Sequence, residues 1–459
     1  MNGSAYRSAL PGIEWPAVAD DRGARLLALL WQFRQSERWP AELLLQHQLR
    51  QLQLLLDHAW RTVPFHRERL DAAGYRTGDE LTLEGLRSLP LLTRRDIQDA
   101  GPALRSTAVP PQFGATHENQ TSGATGQPVR VLRTAIDALL WQANTLRDHE
   151  WHGRDQSLKL AAIRALARGV ADPPHGVVMP GWGAASESVR ATGPSALLSL
   201  DADVVTQAAW IRSHAPGYLL TYPGNLEALL THWIRCGERL PGLRAVLTVG
   251  ETVSPALRAR CRDGLGVDIE DVYSSQELGY IALQCPVSGH YHVMAESVLV
   301  EVLDAKGGPC APGETGRLVI SSLHNFAMPL IRYELRDYAA VGGSCACGRT
   351  LPVLERITGR ERNMVRLPDG TLHWPLVGFH RFREIAPVRQ YQLVQHTLQA
   401  VEVRLACDRA LTAAEEQQLG AVIREALGYP FELRFSYFDR ELPRTPNGKF
   451  EEFVSRLAG

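Results

Sequence analysis

The chain has 459 residues, a formal net charge of −1, 45% hydrophobic and 22% charged residues, a length that exceeds one ordinary hydrophobic core and predicts at least two domains. The balanced charge excludes the electrostatic footprint of a nucleic-acid or anionic-membrane binder. No run of about 18 apolar residues reads as a membrane span, and the N-terminus lacks the basic-then-apolar pattern of a secretory signal, so a cytoplasmic location is expected.

Residues 17–75 read as helices, with Leu and Trp at three- and four-residue spacing through "LLLQHQLRQLQLLLDHAW". "LPLLTRRDIQDAG" reads as an extended piece followed by a capped helix beginning near Thr93. From 115 to 340 short apolar runs such as "LKLAAIRAL", "GYLLTYP", "LRAVLTVG" and "VDIEDVYSS" alternate with helical patterns. That alternation predicts an α/β core of largely parallel strands, with sites at their carboxyl ends. From 292 the pattern turns to β, in "HVMAESVLVEVLD" and "GRLVISSL". After Gly359 a smaller α+β unit begins. It holds a hairpin on the Asp-Gly of "VRLPDGTLHW", strands in "YQLVQ" and "AVEVRLA", a helix from Thr412 with a capping box to Glu415, and a last strand in "FELRFSYFD". The domain boundary is placed at 360/361, giving units of 1–360 and 361–459.

Of 49 basic residues only Lys159, Lys306 and Lys449 are lysine. In so arginine-biased a chain, a lysine in the turn "RTPNGKFEE" is either a chance survivor or a group needed as a compact ammonium rather than a planar fork. "TSGATGQP" packs Thr121, Ser122, Gly123, Thr125 and Gly126 into six residues. Such a stretch is a plain turn or an anion-binding nest of backbone N–H groups and hydroxyls; it is not a Walker loop. Gly250 and Glu251 end one apolar strand, "YSSQE" (Tyr273, Ser274, Ser275, Gln276, Glu277) ends the next, and Asp337 follows a third in "LIRYELRD". Taken singly, each carboxylate is a solvated loop acid or one that holds Mg²⁺ or ribose hydroxyls.

The ordered set "TSGATGQP", "VGE", "YSSQE", "PLIRYELRD", "GR" (Gly359, Arg360) and "NGK" resembles the adenylate-forming superfamily, in its phenylacetate–CoA ligase branch with capsule-biosynthesis-type relatives. "AWRTVPFHRERL" and "LPLLTRRDI" are similar to that branch as well, so the resemblance covers nearly the whole chain. It implies a large multi-layer adenylating domain carrying a small mobile C-terminal lid. It also implies two steps, in which a carboxylic acid is activated by ATP as acyl-AMP and the acyl group then passes to a thiol, most commonly coenzyme A. By the same resemblance the 121–128 loop would bind the β- and γ-phosphates, Gly250 and Glu251 would border adenine, and Tyr273 would stack beside it with Ser274 near the nucleotide. Glu277 would coordinate Mg²⁺, Asp337 would hold ribose with help from Arg360, and Lys449 would bridge the substrate carboxylate and the α-phosphate.

The chain departs from that pattern at Gln127, where the loop often carries Lys, at Arg336, where Gly usually precedes the ribose Asp, and at Arg362 and Asn363, where the hinge commonly has acidic residues. Trp141, Trp182, Tyr222 and Ser275 fall where the family builds its acid pocket, and a Trp-lined wall suits a small aromatic or apolar acid; each aromatic is otherwise a core residue. Cys285 and His292 of "CPVSGHYH" with Cys345 and Cys347 of "CACGR" suit a closed structural Zn²⁺ site. His290 is a rival ligand, and four free residues in a β-rich insert is the alternative. Cys236, Cys261, Cys310 and Cys407 are isolated and read as packing residues. Two further readings remain: an adenylating enzyme that loads a carrier protein or forms an amide, and a non-catalytic, zinc-stabilised interaction protein of the same fold.

Overall fold

In the computed structural model, which describes residues 6–120, 129–360, 363–373, 384–439 and 450–457 together with Phe382 and Leu442, three helices open the chain. Asp20 caps the first, Asp21–Ser36, its Oδ1 accepting from Gly23 N at 2.7 Å. The second, Ala41–Thr62, turns its leucine stripe inward, and Leu52, Leu55 and Leu56 are fully buried in one cluster with Leu299 of the sheet described next and with Leu323 and Ile331 on a connection between its strands. Pro64 at the first position of Pro64–Ala72 costs nothing, because its missing N–H would have no partner there. Thr93 caps Arg94–Ala100 in a full capping box with Asp96, where the sequence placed that helix start.

Strands β1 (Thr116–Gln120) and β2 (Arg130–Thr134) pair antiparallel with Gln120 opposite Arg130. The main sheet is built from β3 (Leu160–Arg164), β4 (Val177–Met179), β5 (Ser195–Ser199), β6 (Tyr218–Thr221), β7 (Ala245–Val249), β8 (Asp268–Ser275) and β9 (Gly279–Gln284). It continues through β10 (Tyr291–Val293), β11 (Val298–Leu303), β12 (Thr315–Ser322), β13 (Tyr333–Val341) and β14 (Val353–Arg360). Twelve strands run in the order β11-β12-β13-β14-β10-β9-β8-β7-β6-β3-β5-β4. The stretch from β8 to β5 is parallel and the rest antiparallel. The parallel strands are covered by helices, so Ile163, Leu198, Leu219, Val246 and Ile269 meet Leu226, Leu229 and Trp233 of the helix Pro223–Cys236 in one core. This double-sided burial is why those strands read as continuous apolar runs rather than alternating ones.

The C-terminal part has its own sheet and core. A short hairpin, β15 (Val365–Arg366) with β16 (Leu372–His373), turns on Asp369-Gly370, and Gly370 supplies the φ of 85°. The strands β17 (Val388–Gln395), β18 (Ala400–Cys407), β19 (Glu432–Phe438) and β20 (Phe453–Ser455) form a sheet in the order β19-β18-β17-β20. Helix Ala413–Leu427, boxed by Thr412 and Glu415 as its sequence predicts, buries Leu419 and Ile423 against Leu393, Val403 and Phe431. One expectation is corrected: the "FELRFSYFD" strand is not the last, because β20 adds parallel to β17. Its three residues are too few to carry a strand pattern. No helix among the described residues is long and apolar enough to cross a membrane.

Candidate active site

The parallel strands β6, β7 and β8 run in register, with Thr221 beside Thr248 and Thr248 beside Asp271, so their carboxyl ends form one rim. Gly250 leaves β7 at a φ of 78°, a left-handed turn that favours glycine. Glu251 follows it. At the end of β8, Ser275 Oγ accepts from Leu278 N at 3.0 Å and closes the turn that presents Glu277, whose residue is only 8% exposed. Arg94, at the first position of its helix, brings Nη1 to 3.9 Å from Glu277 Oε1.

Asp337 is reached differently from the expectation of a strand end. It lies within β13, opposite Arg360 on β14, and a register irregularity follows it between Tyr338 and Ala339. Arg336, just before it, takes a φ of 63°, so the backbone here adopts the left-handed conformation that a glycine would enter without strain. The buried Asp337 carboxylate is shared. Oδ2 accepts from Tyr273 Oη at 2.7 Å, Arg360 Nε stands 3.3 Å from Oδ1, and Oδ1 accepts no hydrogen bond among the described residues. Burial, reinforced by the Asp337 charge, raises the Tyr273 hydroxyl well above its ordinary pKa, so it stays a donor. Asp337 in turn raises the Arg360 pKa. Tyr273, Asp337 and Arg360 thus form one hydrogen-bonded and ionic group.

Glu251 faces the C-terminal part. Its Oε2 accepts from Gly224 N at 2.7 Å and its Oε1 from Phe450 N at 2.9 Å. A Cβ on Gly224 would stand 3.0 Å from Phe450 Cβ and 3.1 Å from Glu251 Oε2, so any side chain there would crowd this contact. Thr121, Ser122, Gly123, Thr125, Gly126, Gln127, Arg362 and Lys449 lie outside the described residues. Phe450 is the neighbour of Lys449 in sequence, and Gln120 and Arg130 flank the glycine-hydroxyl stretch.

The aromatic residues expected at an acid pocket each have their own packing neighbours. Trp141 is 37% exposed and packs on Tyr280 at a ring distance of 4.5 Å, beside Gly279. Tyr222 is buried in the parallel-sheet core and precedes helix Pro223–Cys236. Trp182 donates Nε1–H to Leu158 O at 2.8 Å and packs edge-on against Tyr218 and His149.

A second group of functional atoms sits at the other end of the antiparallel strands. Cys285 ends the β9 edge of a hairpin, His292 lies in β10, and Cys345 and Cys347 lie on the connection from β13 to β14, which pairs with β10. The topology therefore collects them: His292 Nε2 is 3.2 Å from Cys347 Sγ, Cys345 Sγ is 3.8 Å from Cys285 Sγ, and all four donor atoms lie within 4.8 Å of one another. His292, not His290, completes the cluster. Burial opposes ionisation of Cys285, but N–H groups of Ser288 and Val287 outweigh it and bring the thiol down to about 7, while burial lowers His292 to about 4. A readily formed thiolate and a neutral imidazole are the forms a metal requires.

Arg94, beside the candidate residue Glu277, is one that the sequence reading did not single out. "LLTRRD" was legible as a helix start, and only the topology, which pairs Leu92 with Tyr333 beside it, puts that start near Glu277. The packing reading of Cys236 is also corrected: that thiol is exposed.

A family model described as "AMP-binding enzyme" matches residues 120–328. The phenylacetate–coenzyme A ligase of Escherichia coli (strain K12) is 27% identical over 325 residues, covering 69% of this chain and 71% of that protein. The phenylacetate–coenzyme A ligase of Thermus thermophilus is 27% identical over 337 residues, covering 72% of this chain and 73% of that protein. Among solved structures, 2-hydroxyisobutyryl-CoA ligase in its postadenylation state with R3-HIB-AMP superposes with a TM-score of 0.72 at 18% identity, covering 98% of this chain and 97% of that one. The same ligase in its thioesterification state, with 2-HIB-AMP and CoA, gives 0.59 at 19% identity and the same coverage.

Proposed function

We propose, for a chain that belongs to the adenylate-forming superfamily and to its phenylacetate–CoA ligase branch, how its own residues serve an AMP-forming acid–CoA ligase reaction. In the first step a carboxylate oxygen attacks the α-phosphorus of ATP, the bond to the β-phosphate oxygen breaks, and pyrophosphate leaves. In the second, the sulfur of CoA forms the thioester bond, the acyl–phosphate bond breaks, AMP leaves with the electron pair, and the thiol proton is lost.

Asp337 is assigned to ribose: Tyr273 and Arg360 fix the carboxylate, and the buried Oδ1, which Arg360 approaches only as an ion pair, accepts no hydrogen bond among the described residues and is left to accept from a sugar hydroxyl. Glu277, a buried carboxylate at a strand end, fits Mg²⁺, an ion held through one or two carboxylates plus the substrate phosphates. Bound there it would neutralise polyphosphate charge. Arg94 is assigned to the same phosphates, since the stretch 121–128 contains no cationic residue. Thr121, Ser122, Gly123, Thr125 and Gly126 would surround those phosphates, Gly250 and Ser274 would border the nucleotide, and Ser275, Trp141, Trp182 and Tyr222 would belong to the acid side. Cys285, His292, Cys345 and Cys347 fit a closed Zn²⁺ site, which would tie the β9–β10 hairpin to the β13–β14 connection.

Residues 361–459 are read as a lid hinged after Gly359, whose φ of 119° favours glycine. The observation that carries this reading is the Glu251 carboxylate, which bonds the strand-end rim and the backbone of Phe450 together. That contact holds Phe450, the residue after Lys449 in sequence, against the rim where Asp337 and Glu277 also lie. The closer match to the postadenylation arrangement supports the same placement. ATP–pyrophosphate exchange with a panel of small carboxylic acids, arylacetic acids first, tests the proposal. Exchange with no acid in the panel, from protein that binds ATP, would overturn it.

A further inference from the structure

The helix Pro223–Cys236 ends in "THWIRCGERL". His232 and Cys236 are four residues apart and therefore share a face. Gly237 takes a φ of 66°, and Glu238 N donates to Trp233 O at 2.9 Å, the backbone reversal that closes many helix C-termini. This reversal returns Glu238 to the face it would otherwise leave. His232 Nε2 stands 4.0 Å from Cys236 Sγ and 3.9 Å from Glu238 Oε1, and the three donor positions lie within 4.8 Å of one another. Arg212 Nη1 holds Glu238 Oε1 at 3.0 Å, whereas Oε2 is buried and accepts no hydrogen bond among the described residues.

We propose that His232, Cys236 and Glu238 form a second metal site, for a borderline transition-metal ion of the Zn²⁺ class, separate from both the nucleotide rim and the four-ligand cluster. The ligand atoms are His232 Nε2, Cys236 Sγ and Glu238 Oε2. One thiolate, one imidazole and one carboxylate select Zn²⁺ or Co²⁺ over Mg²⁺ and Ca²⁺, which take oxygen sets. Ligand bonds of about 2.0–2.3 Å in a tetrahedron set neighbouring donors roughly 3.3–3.7 Å apart. His232 Nε2 and Cys236 Sγ, 4.0 Å apart, close to that by small side-chain rotations, and the Glu238 donor lies within 4.8 Å of both. The site lies at a helix C-terminus, where the partial negative charge of the free carbonyls favours a cation. Cys236 is exposed, so an ion reaches its thiolate from solvent, and water or a small ligand would complete the tetrahedron. Arg212 keeps one carboxylate oxygen in place and leaves the other to the ion.

Titration of the metal-free, full-length chain with Co²⁺ tests the assignment, read by the thiolate-to-cobalt charge-transfer band and by cobalt retained after gel filtration. Cys236→Ser and His232→Ala should each retain about one equivalent less than wild type, while Glu238→Gln weakens that equivalent by roughly tenfold or more. Cys345→Ser should leave this increment in place, which separates the two sites. Cys236→Ser changes an exposed side chain, so its melting temperature without metal should match wild type. Equal cobalt retention and an equal charge-transfer band in wild type, Cys236→Ser and His232→Ala would overturn the proposal, whatever the nucleotide site does.

Discussion

Phe450 N donates to Glu251 Oε1 at 2.9 Å while Gly224 N donates to the other oxygen of the same carboxylate at 2.7 Å. A hydrogen bond to an ionised acceptor contributes roughly 1.5–3 kcal/mol. Glu251→Ala should therefore reduce the docked arrangement and lower pyrophosphate exchange by about ten- to a hundredfold. Thioester formation from supplied acyl-AMP should fall much less if, as proposed, the C-terminal part acts as a lid that leaves this docked arrangement for the second half-reaction. Equal losses in both half-reactions would mean that Glu251 acts on the nucleotide and not on the lid.

Arg94 stands 3.9 Å from Glu277, and the sequence stretch 121–128 contains no cationic residue. A guanidinium facing the β- and γ-phosphates distinguishes ATP from AMP. Arg94→Gln should weaken Mg·ATP binding by about tenfold or more, the worth of a charge-assisted contact, and leave AMP binding unchanged. Calorimetric titration with both nucleotides checks this. Parallel losses for ATP and AMP would assign Arg94 to holding Glu277 or the fold instead.

Arg336 adopts a φ of 63° immediately before Asp337. A side chain in that region costs roughly 1–2 kcal/mol, and glycine loses back about 0.5–1 kcal/mol of unfolded-chain entropy. Arg336→Gly should on balance stabilise the protein by about 0.5–1 kcal/mol, visible as a higher urea midpoint at constant slope. A lower midpoint would mean that the arginine side chain contributes more than its backbone strain costs.

The sequence and structure agree where local physics decides the outcome. The parallel strands were legible because burial on both faces gives "LRAVLTVG" and "LKLAAIRAL" continuous apolar centres, "AVL" and "LAAI", rather than alternation, and Thr93 and Thr412 announce their helices through capping boxes. What escaped is non-local. Asp337 sits inside a strand because β14 pairs with β13 across it, and nothing in "YELRD" states that pairing. Arg94 approaches Glu277 across about 180 residues of chain, and Glu238 returns to His232 through a glycine turn whose geometry no periodicity shows. The four metal-type residues were legible as types, while their convergence required the order β13-β14-β10-β9.

The cluster of Cys285, His292, Cys345 and Cys347 joins two connections that are distant in sequence. Metal bound only by the folded chain adds its binding energy to folding. Cys345→Ser should lower zinc content and the melting temperature together, and a chelator should lower the melting temperature of wild type toward that of the variant. A wild-type protein purified without zinc and melting at the same temperature with and without added Zn²⁺ would reject the site.

Lys449 is one of three lysines among 49 basic residues, and its neighbour Phe450 is held at the rim through Glu251. As the acid's oxygen bonds to the α-phosphorus, negative charge gathers on oxygens of both groups, and a compact ammonium placed between them stabilises that charge more than it stabilises bound ATP. Loss of one preorganised charge of this kind costs about 3–4 kcal/mol in the transition state, a factor of roughly 10²–10³. Lys449→Ala should lower pyrophosphate exchange by at least that factor while ATP affinity stays within about twofold. Supplied with acyl-AMP, the same variant should still form thioester, since no charge then builds between carboxylate and phosphate. Lys449→Arg should recover little, because the planar guanidinium spreads its charge over a wider fork. Full exchange activity in the arginine variant would show that charge alone suffices there, and the retention of lysine in this turn would then carry no chemical meaning.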